Sequence, residues 1–143
     1  MKTLQLSNGD LVLSNGAFAM IEGPARVQQD VMVACLTPLG SNQFHVKYGS
    51  VFSNYIGLPA TMSIQALVNN EFNRILQNYI TIQTAQVKAA VAKGIQSPFT
   101  QNEVILSVQN IDVQQSGTDY LVTATVITGS SSQLILSATA SAS

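Results

Sequence analysis

Few side chains in this sequence can do chemistry. There is one histidine, His45, and one cysteine, Cys35. A Ser-His-Asp relay needs a nucleophile, His45 as its base and an orienting acid. Serines and aspartates are plentiful, but no nucleophile-elbow pattern presents one. The plainer reading of His45 is a loop residue packed by Phe44 or hydrogen-bonded locally. Cys35 falls on the apolar stripe of a predicted helix, near its C-terminal end. A reactive thiolate needs an electropositive, partly exposed setting, and that end of the dipole is the wrong one. Cys35 is therefore expected to be a buried, inert thiol. One Cys and one His cannot supply the usual zinc set, so no metal site is assigned. Glu22, Asp30, Glu71 and Glu103 are the acids from which a glycosidase pair could be drawn. Each reads more simply as a surface charge, a helix-terminus charge or a salt-bridge partner. The glycines spell neither G-x-G-x-x-G nor a P-loop. No catalytic, cofactor-binding or metal-binding residue is assigned, and no cofactor is expected.

Composition narrows the partners. The chain has 143 residues, long enough for one core and read as one domain over 1–143. Charged residues are only 9% of it, against about a quarter in ordinary globular chains. Ser, Thr, Asn and Gln must therefore build the polar surface. Such a surface repels other protein surfaces weakly, which suits assembly. The net charge is −1 and no basic patch exists, so there is no electrostatic footprint for nucleic acid. No run is long enough to cross a bilayer, and the first residues lack a signal-peptide core, so the expectation is a soluble protein made in the cytoplasm with no membrane partner. A single Cys allows no intrachain disulfide.

The elements follow from patterning. Leu4 and Leu6, then Ser7-Asn8-Gly9-Asp10, then Leu11 and Leu13 predict an N-terminal β-hairpin with a type I′ turn. A second Asn-Gly follows at Asn15-Gly16, with an extended segment after it. No internal repeat is evident. Gly23-Pro24 opens a helix whose stripe is Val27, Val31, Ala34 and Cys35, with Arg26, Gln28, Gln29 and Asp30 on the other faces. Thr37-Pro38 closes it. The aromatic-rich stretch from Ser41 to Ala60 is expected to pack down on the domain. A second helix runs from about Thr61 or Ser63 to Ile80, with the stripe Ile64, Leu67, Val68, Phe72, Ile75, Leu76 and Tyr79. A third, shorter one covers Thr84 to Lys93, closed by Gly94. Three strands complete the chain: Glu103 to Val113, Tyr120 to Thr128, and a last one from Gln133 to Ala138, followed by a frayed end. The fold class is α+β: an N-terminal β-hairpin, two to three central helices and a C-terminal three-stranded antiparallel sheet. Such a sheet leaves edge N–H and C=O groups to be protected or extended.

One segment carries more. Gly23-Pro24-Ala25-Arg26-Val27-Gln28-Gln29-Asp30-Val31 leads through Leu36-Thr37-Pro38-Leu39-Gly40 to Phe44-His45-Val46-Lys47-Tyr48-Gly49-Ser50, then Tyr55-Ile56-Gly57. This resembles the baseplate wedge and sheath-initiator family of contractile phage tails, whose older label is lysozyme-like baseplate protein. The resemblance spans roughly Gly16 to Val113 in order of elements. Many members carry Glu-Pro-Arg just before the first strand of the sheet. This chain has Thr100-Gln101-Asn102-Glu103-Val104 there, so that anchoring contact is not carried over.

The resemblance implies a structural subunit of the virion tail baseplate, not an enzyme. Copies would join the wedge to the tail tube and nucleate the sheath by β-strand addition. The implied partners are the tail sheath protein, other wedge subunits and the tail tube. The edge to be extended is expected in the last strand, at Gln133, Leu134, Ile135, Leu136 and Ser137, or in the strand carrying Val122, Ala124 and Val126. The competing reading is a small peptidoglycan-directed hydrolase of the tail, as the family's older label suggests. A weaker one is an adhesin-like domain, from the Ser/Thr/Ala-rich end.

Overall fold

Gly23 takes φ +73, a conformation that suits a residue without Cβ, and Pro24 follows in the first turn of helix α1, Pro24–Leu36. The Thr37 N–H and hydroxyl both donate to the Val33 carbonyl at 3.0 and 2.7 Å, and Pro38 stops the helix. These bounds match the sequence reading. The computed structural model that shows them describes residues 3–7, 10–41, 43–44, 46–52, 62–116 and 119–140. His45, Tyr55, Ile56, Gly57 and the first Asn-Gly lie outside the described residues.

The second and third predicted helices are one, α2, Met62–Lys93. No Gly or Pro interrupts it. The hydroxyls of Thr81 and Thr84, where a break was expected, each bond the carbonyl four residues back at 2.9 Å. Gly94 takes φ +66, and the Ile95 N–H reaches the Ala90 carbonyl at 3.0 Å, closing the helix as expected. Among the described residues no helix is long and apolar enough to cross a membrane.

The N-terminal hairpin is one arm of a three-armed star. Strands β1 (Thr3–Leu4), β2 (Leu6–Ser7), β3 (Asp10–Leu11), β4 (Leu13–Ser14), β5 (Ala17–Phe18) and β6 (Met20–Ile21) pair as β2 with β3, β4 with β5, and β1 with β6. The hub is a ring of backbone bonds: Gln5 N–H to Ala19 C=O at 2.8 Å, Ala19 N–H to Val12 C=O at 2.8 Å, Val12 N–H to Gln5 C=O at 3.1 Å. Leu6-Ser7-Asn8-Gly9 recurs as Leu13-Ser14-Asn15-Gly16, so the chain does hold a short tandem repeat here. Asn15 and Gly16 both have positive φ, as a type I′ turn requires.

Strands β7 (Ile105–Ser116), β8 (Asp119–Thr128) and β9 (Gln133–Ala140) form the antiparallel sheet in the order β7-β8-β9. Ala138 is buried and paired, so the expected fraying does not begin there. Period-two alternation turns Tyr120, Val122, Ala124, Val126, Leu136 and Ala138 inward. They meet Val27 and Val31 of α1 and Phe72, Ile75, Leu76 and Tyr79 of α2 in one apolar cluster. Each Val, Leu, Ile or Phe side chain among them adds roughly 1.5–3 kcal/mol of burial. Leu67, assigned to the apolar stripe, is instead 43% exposed.

The stretch after α1 packs only in part. Phe52 is buried and Tyr48 half-buried, but Phe44 is 91% exposed. The Glu71–Arg74 pair of α2 grips this loop. Arg74 donates to the Lys47 and Gly49 carbonyls at 2.9 and 2.7 Å, and Glu71 accepts the Val51 N–H at 3.0 Å.

Candidate strand-pairing edges

In an antiparallel sheet, successive residues of a strand aim their N–H and C=O alternately at the two flanking sides. Gln28 of α1 fixes the phase for β9. Its side-chain amide accepts the Ser137 N–H at 3.0 Å and donates to the Ser137 carbonyl. Ser137 therefore faces away from β8, and so do Ile135 and Thr139. Leu134, Leu136 and Ala138 bond inward to Val126, Ala124 and Val122, their register partners. The odd residues of β8 then bond β7 through Gln114, Asp112 and Asn110. This leaves Ile111, Val113 and Gln115 turned outward. An independent contact agrees: Asn69 of α2 donates to the outward Ile111 carbonyl at 3.3 Å.

The expected interface residues separate on this geometry. Val122, Ala124 and Val126 sit on the middle strand, bonded on both sides, with side chains fully buried. Strand β8 therefore offers no edge, which corrects that half of the expectation. Leu136 is fully buried and Leu134 partly buried, both as core residues of β9. Ile135 is 65% exposed, and its backbone faces outward. Ser137 faces outward but is occupied on both groups by Gln28. Gln133 lies on the outer face and reaches Gln109 at 3.3 Å. Both edges of the sheet are thus partly covered by side-chain amides, β9 more completely than β7.

Strand β7 is placed by a buried polar cluster that the sequence reading did not find. Arg26, expected off the apolar stripe, is 6% exposed, and Glu103 is fully buried. Arg26 Nη1 donates to Glu103 Oε2 at 3.0 Å and to the Pro98 carbonyl at 2.7 Å, and its guanidinium lies 4.5 Å over the Phe99 ring. Glu103 Oε1 accepts the Thr100 N–H at 3.0 Å and hydroxyl at 2.8 Å. Gln83 of α2 donates to the Glu103 carbonyl at 2.7 Å and accepts the Ile105 N–H at 3.1 Å. The start of β7 is thereby tied to both helices. The signal available in the sequence was the placement of Arg26 beside Val27 on α1, one position off the apolar stripe.

Of the other candidate acids, Asp30 and Glu71 are engaged too, while Glu22 is exposed. Asp30 accepts the Tyr79 hydroxyl at 2.7 Å and lies 3.7 Å from Arg26 Nε. Burial pushes its carboxyl above the usual range, against the lowering effects of Tyr79 and Arg26. It borders a cleft of about 350 Å³ with Tyr48, Tyr79 and Gln86. Glu71 is bound to Arg74 at 2.6 Å. Cys35 is buried, and that burial pushes its thiol up to about 12.

Compared by sequence, the chain matches no family model and no curated protein. Compared by structure, it is similar to a crystal structure from Geobacter sulfurreducens provisionally assigned as a tail lysozyme. The two align with a TM-score of 0.54 at 9% identity, over 94% of this chain and 97% of the other. At that identity the likeness speaks for a shared fold.

Proposed function

We propose that this chain is a structural subunit of a contractile phage-type tail, seated in the baseplate, which joins wedge to tube and nucleates sheath assembly by β-strand addition. The observation that carries the reading is the fold likeness to a protein described as belonging to a tail, over nearly the whole of both chains. Two features of the molecule support it. The sheet keeps outward backbone groups at Val113 and Ile135 that no described residue bonds. The surface is poor in charge, so another strand can approach without repulsion. The partners on this reading are the tail sheath protein, neighbouring wedge subunits and the tail tube. Electron microscopy of particles from a strain lacking this chain should show tubes without sheath. Sheathed tails of normal length would refute the role.

A second reading, a peptidoglycan-directed hydrolase, is favoured by the lysozyme label of the structural neighbour and by Asp30, a carboxyl of raised proton affinity beside a cleft. Against it, Glu103 and Glu71 are spent on Arg26 and Arg74. A turnover assay on cell-wall substrate with wild type and Asp30→Asn separates the readings. Activity lost in the variant would establish the enzyme.

A further inference from the structure

We infer that the outer face of α2, together with the loop that Arg74 clamps to it, is a docking surface for an acidic amphipathic helix of a partner protein. The inference does not depend on the tail reading.

Charge selects the face. From Thr37 to Lys93 the chain carries Lys47, Arg74, Lys88 and Lys93 against one acid, Glu71, a net of +3. The remainder carries six acids and two cations, a net of −4. A net charge of −1 thus conceals two parts of opposite sign. Glu71 is spent on Arg74 at 2.6 Å, and its side chain is only 9% accessible. The Arg74 guanidinium in turn holds the Lys47 and Gly49 carbonyls, which fixes the loop beside α2. Between loop and helix lies a cleft of about 530 Å³, lined by Leu39, Val46, Lys47, Arg74, Asn78 and Thr81. Lys47 and Lys88 are both exposed, and neither has an ion-pair partner among the described residues. Lys88 follows Thr81 by seven residues, two helical turns, and so shares its face. It follows Arg74 by fourteen residues, about 21 Å along the axis.

Apolar side chains select a protein among the possible anions. Val46 is 69% and Leu39 42% exposed. Both line the cleft, a concave wall that receives an inserted side chain. A phosphate backbone has no apolar side chain to place there, and a bilayer takes up protruding residues, not recessed ones. Past the cleft, Ala85, Ala89 and Ala92 are exposed at helical spacing, so another helix can approach α2 closely. The helix that fits turns Leu or Ile into the cleft. It carries Asp or Glu near both ends, roughly four turns apart, to meet Lys47 and Lys88.

Amide chemical shifts of the isotope-labelled chain, titrated with two synthetic helical peptides, test the surface. One peptide carries Glu and Leu at helical spacing over roughly 16 residues, and the other has Lys for every Glu. The acidic peptide should shift Val46, Lys47, Thr81 and Lys88 and bind at least 10-fold more tightly than the basic one. Raising the salt from about 50 to about 500 mM should weaken it at least 10-fold. Lys47→Glu, Lys88→Glu and Val46→Ser should each weaken binding at least 5-fold, with thermal melts unchanged from wild type. Glu22→Lys, an exposed reversal in the acidic part, should leave binding within about 2-fold of wild type and so separates the site from overall charge. Absence of shifts at about 1 mM peptide would overturn the surface. So would equal binding of the two peptides, or a change for Glu22→Lys as large as that for Lys88→Glu. Tighter binding of a single-stranded oligonucleotide or of phosphatidylglycerol vesicles at the same amides would overturn the protein partner in favour of a polyanion. Shifts at these amides that grow with protein concentration in the absence of peptide would overturn it in favour of a second copy.

Discussion

Removing Glu103 should destabilise this protein strongly, because its carboxylate is buried against Arg26. Its side chain is wholly inaccessible, and that of Arg26 is 8% accessible. Glu103→Ala leaves the Arg26 guanidinium facing a cavity, with Pro98 and Phe99 beside it and no carboxylate at 3.0 Å. It also strips the acceptor from the Thr100 N–H and hydroxyl. Breaking a buried ion pair from one side costs about 3–5 kcal/mol, and Asp30, 3.7 Å from Arg26 Nε, compensates the surviving charge only in part. For a chain of this size that is a fall in Tm of roughly 10–15 °C. Removing both charges, as Arg26→Met with Glu103→Leu, should cost less than Glu103→Ala alone, since the guanidinium no longer stays buried and Asp30 keeps its hydrogen bond from Tyr79. Urea denaturation at pH 7 followed by circular dichroism measures all three proteins. A loss below about 1 kcal/mol for the single variant, or strict additivity in the double, would refute the claim that this pair fixes β7 to the helices.

Three further outcomes follow from the same geometry. Gly49→Ala should destabilise by about 2 kcal/mol or more in the same melts. Its φ is +107, and an added Cβ would lie 2.7 Å from the Thr37 and Pro38 carbonyl oxygens. Cys35, with its thiol pushed up to about 12, should resist thiol reagents at pH 8 in the folded protein and react only as fast as the chain opens. Asp30 has its carboxyl raised in the folded state, mainly by burial, so the folded protein binds that proton more tightly than the unfolded chain. Its favourable contribution is present below the unfolded value of 3.8 and is lost as pH rises through the higher folded value. Wild type should therefore lose stability relative to Asp30→Asn between acid and neutral pH in urea melts. A constant difference would contradict the shift.

Local signals account for what was readable. Gly23-Pro24 and Thr37-Pro38 bracket α1 because the special conformations they require or forbid act within a residue or two. Val68, Phe72, Ile75, Leu76 and Tyr79 announce the buried face of α2 by spacing alone, and Gly94 announces its end. The α+β class and the three-stranded antiparallel sheet follow from the same patterning. The gap inferred near Thr81 and Thr84 was an error of propensity. Their hydroxyls found acceptors inside the helix, and the buried Gln83 between them anchors it to Glu103 and Ile105. The three-armed star escaped notice because its hub is a backbone ring among Gln5, Val12 and Ala19, whose side chains share no type.

The residues alone determine which segments become helix or strand and which faces turn inward, because those choices depend on neighbours along the chain. They do not determine which backbone groups along the sheet edges are covered. That depends on Gln28 meeting Ser137 and Asn69 meeting Ile111, contacts between segments far apart in sequence, made by side chains that read as ordinary surface amides until the helices are laid against the sheet. The burial of Arg26 has the same origin: only the packed fold brings Glu103 and Phe99 to it and makes a charged residue part of the interior.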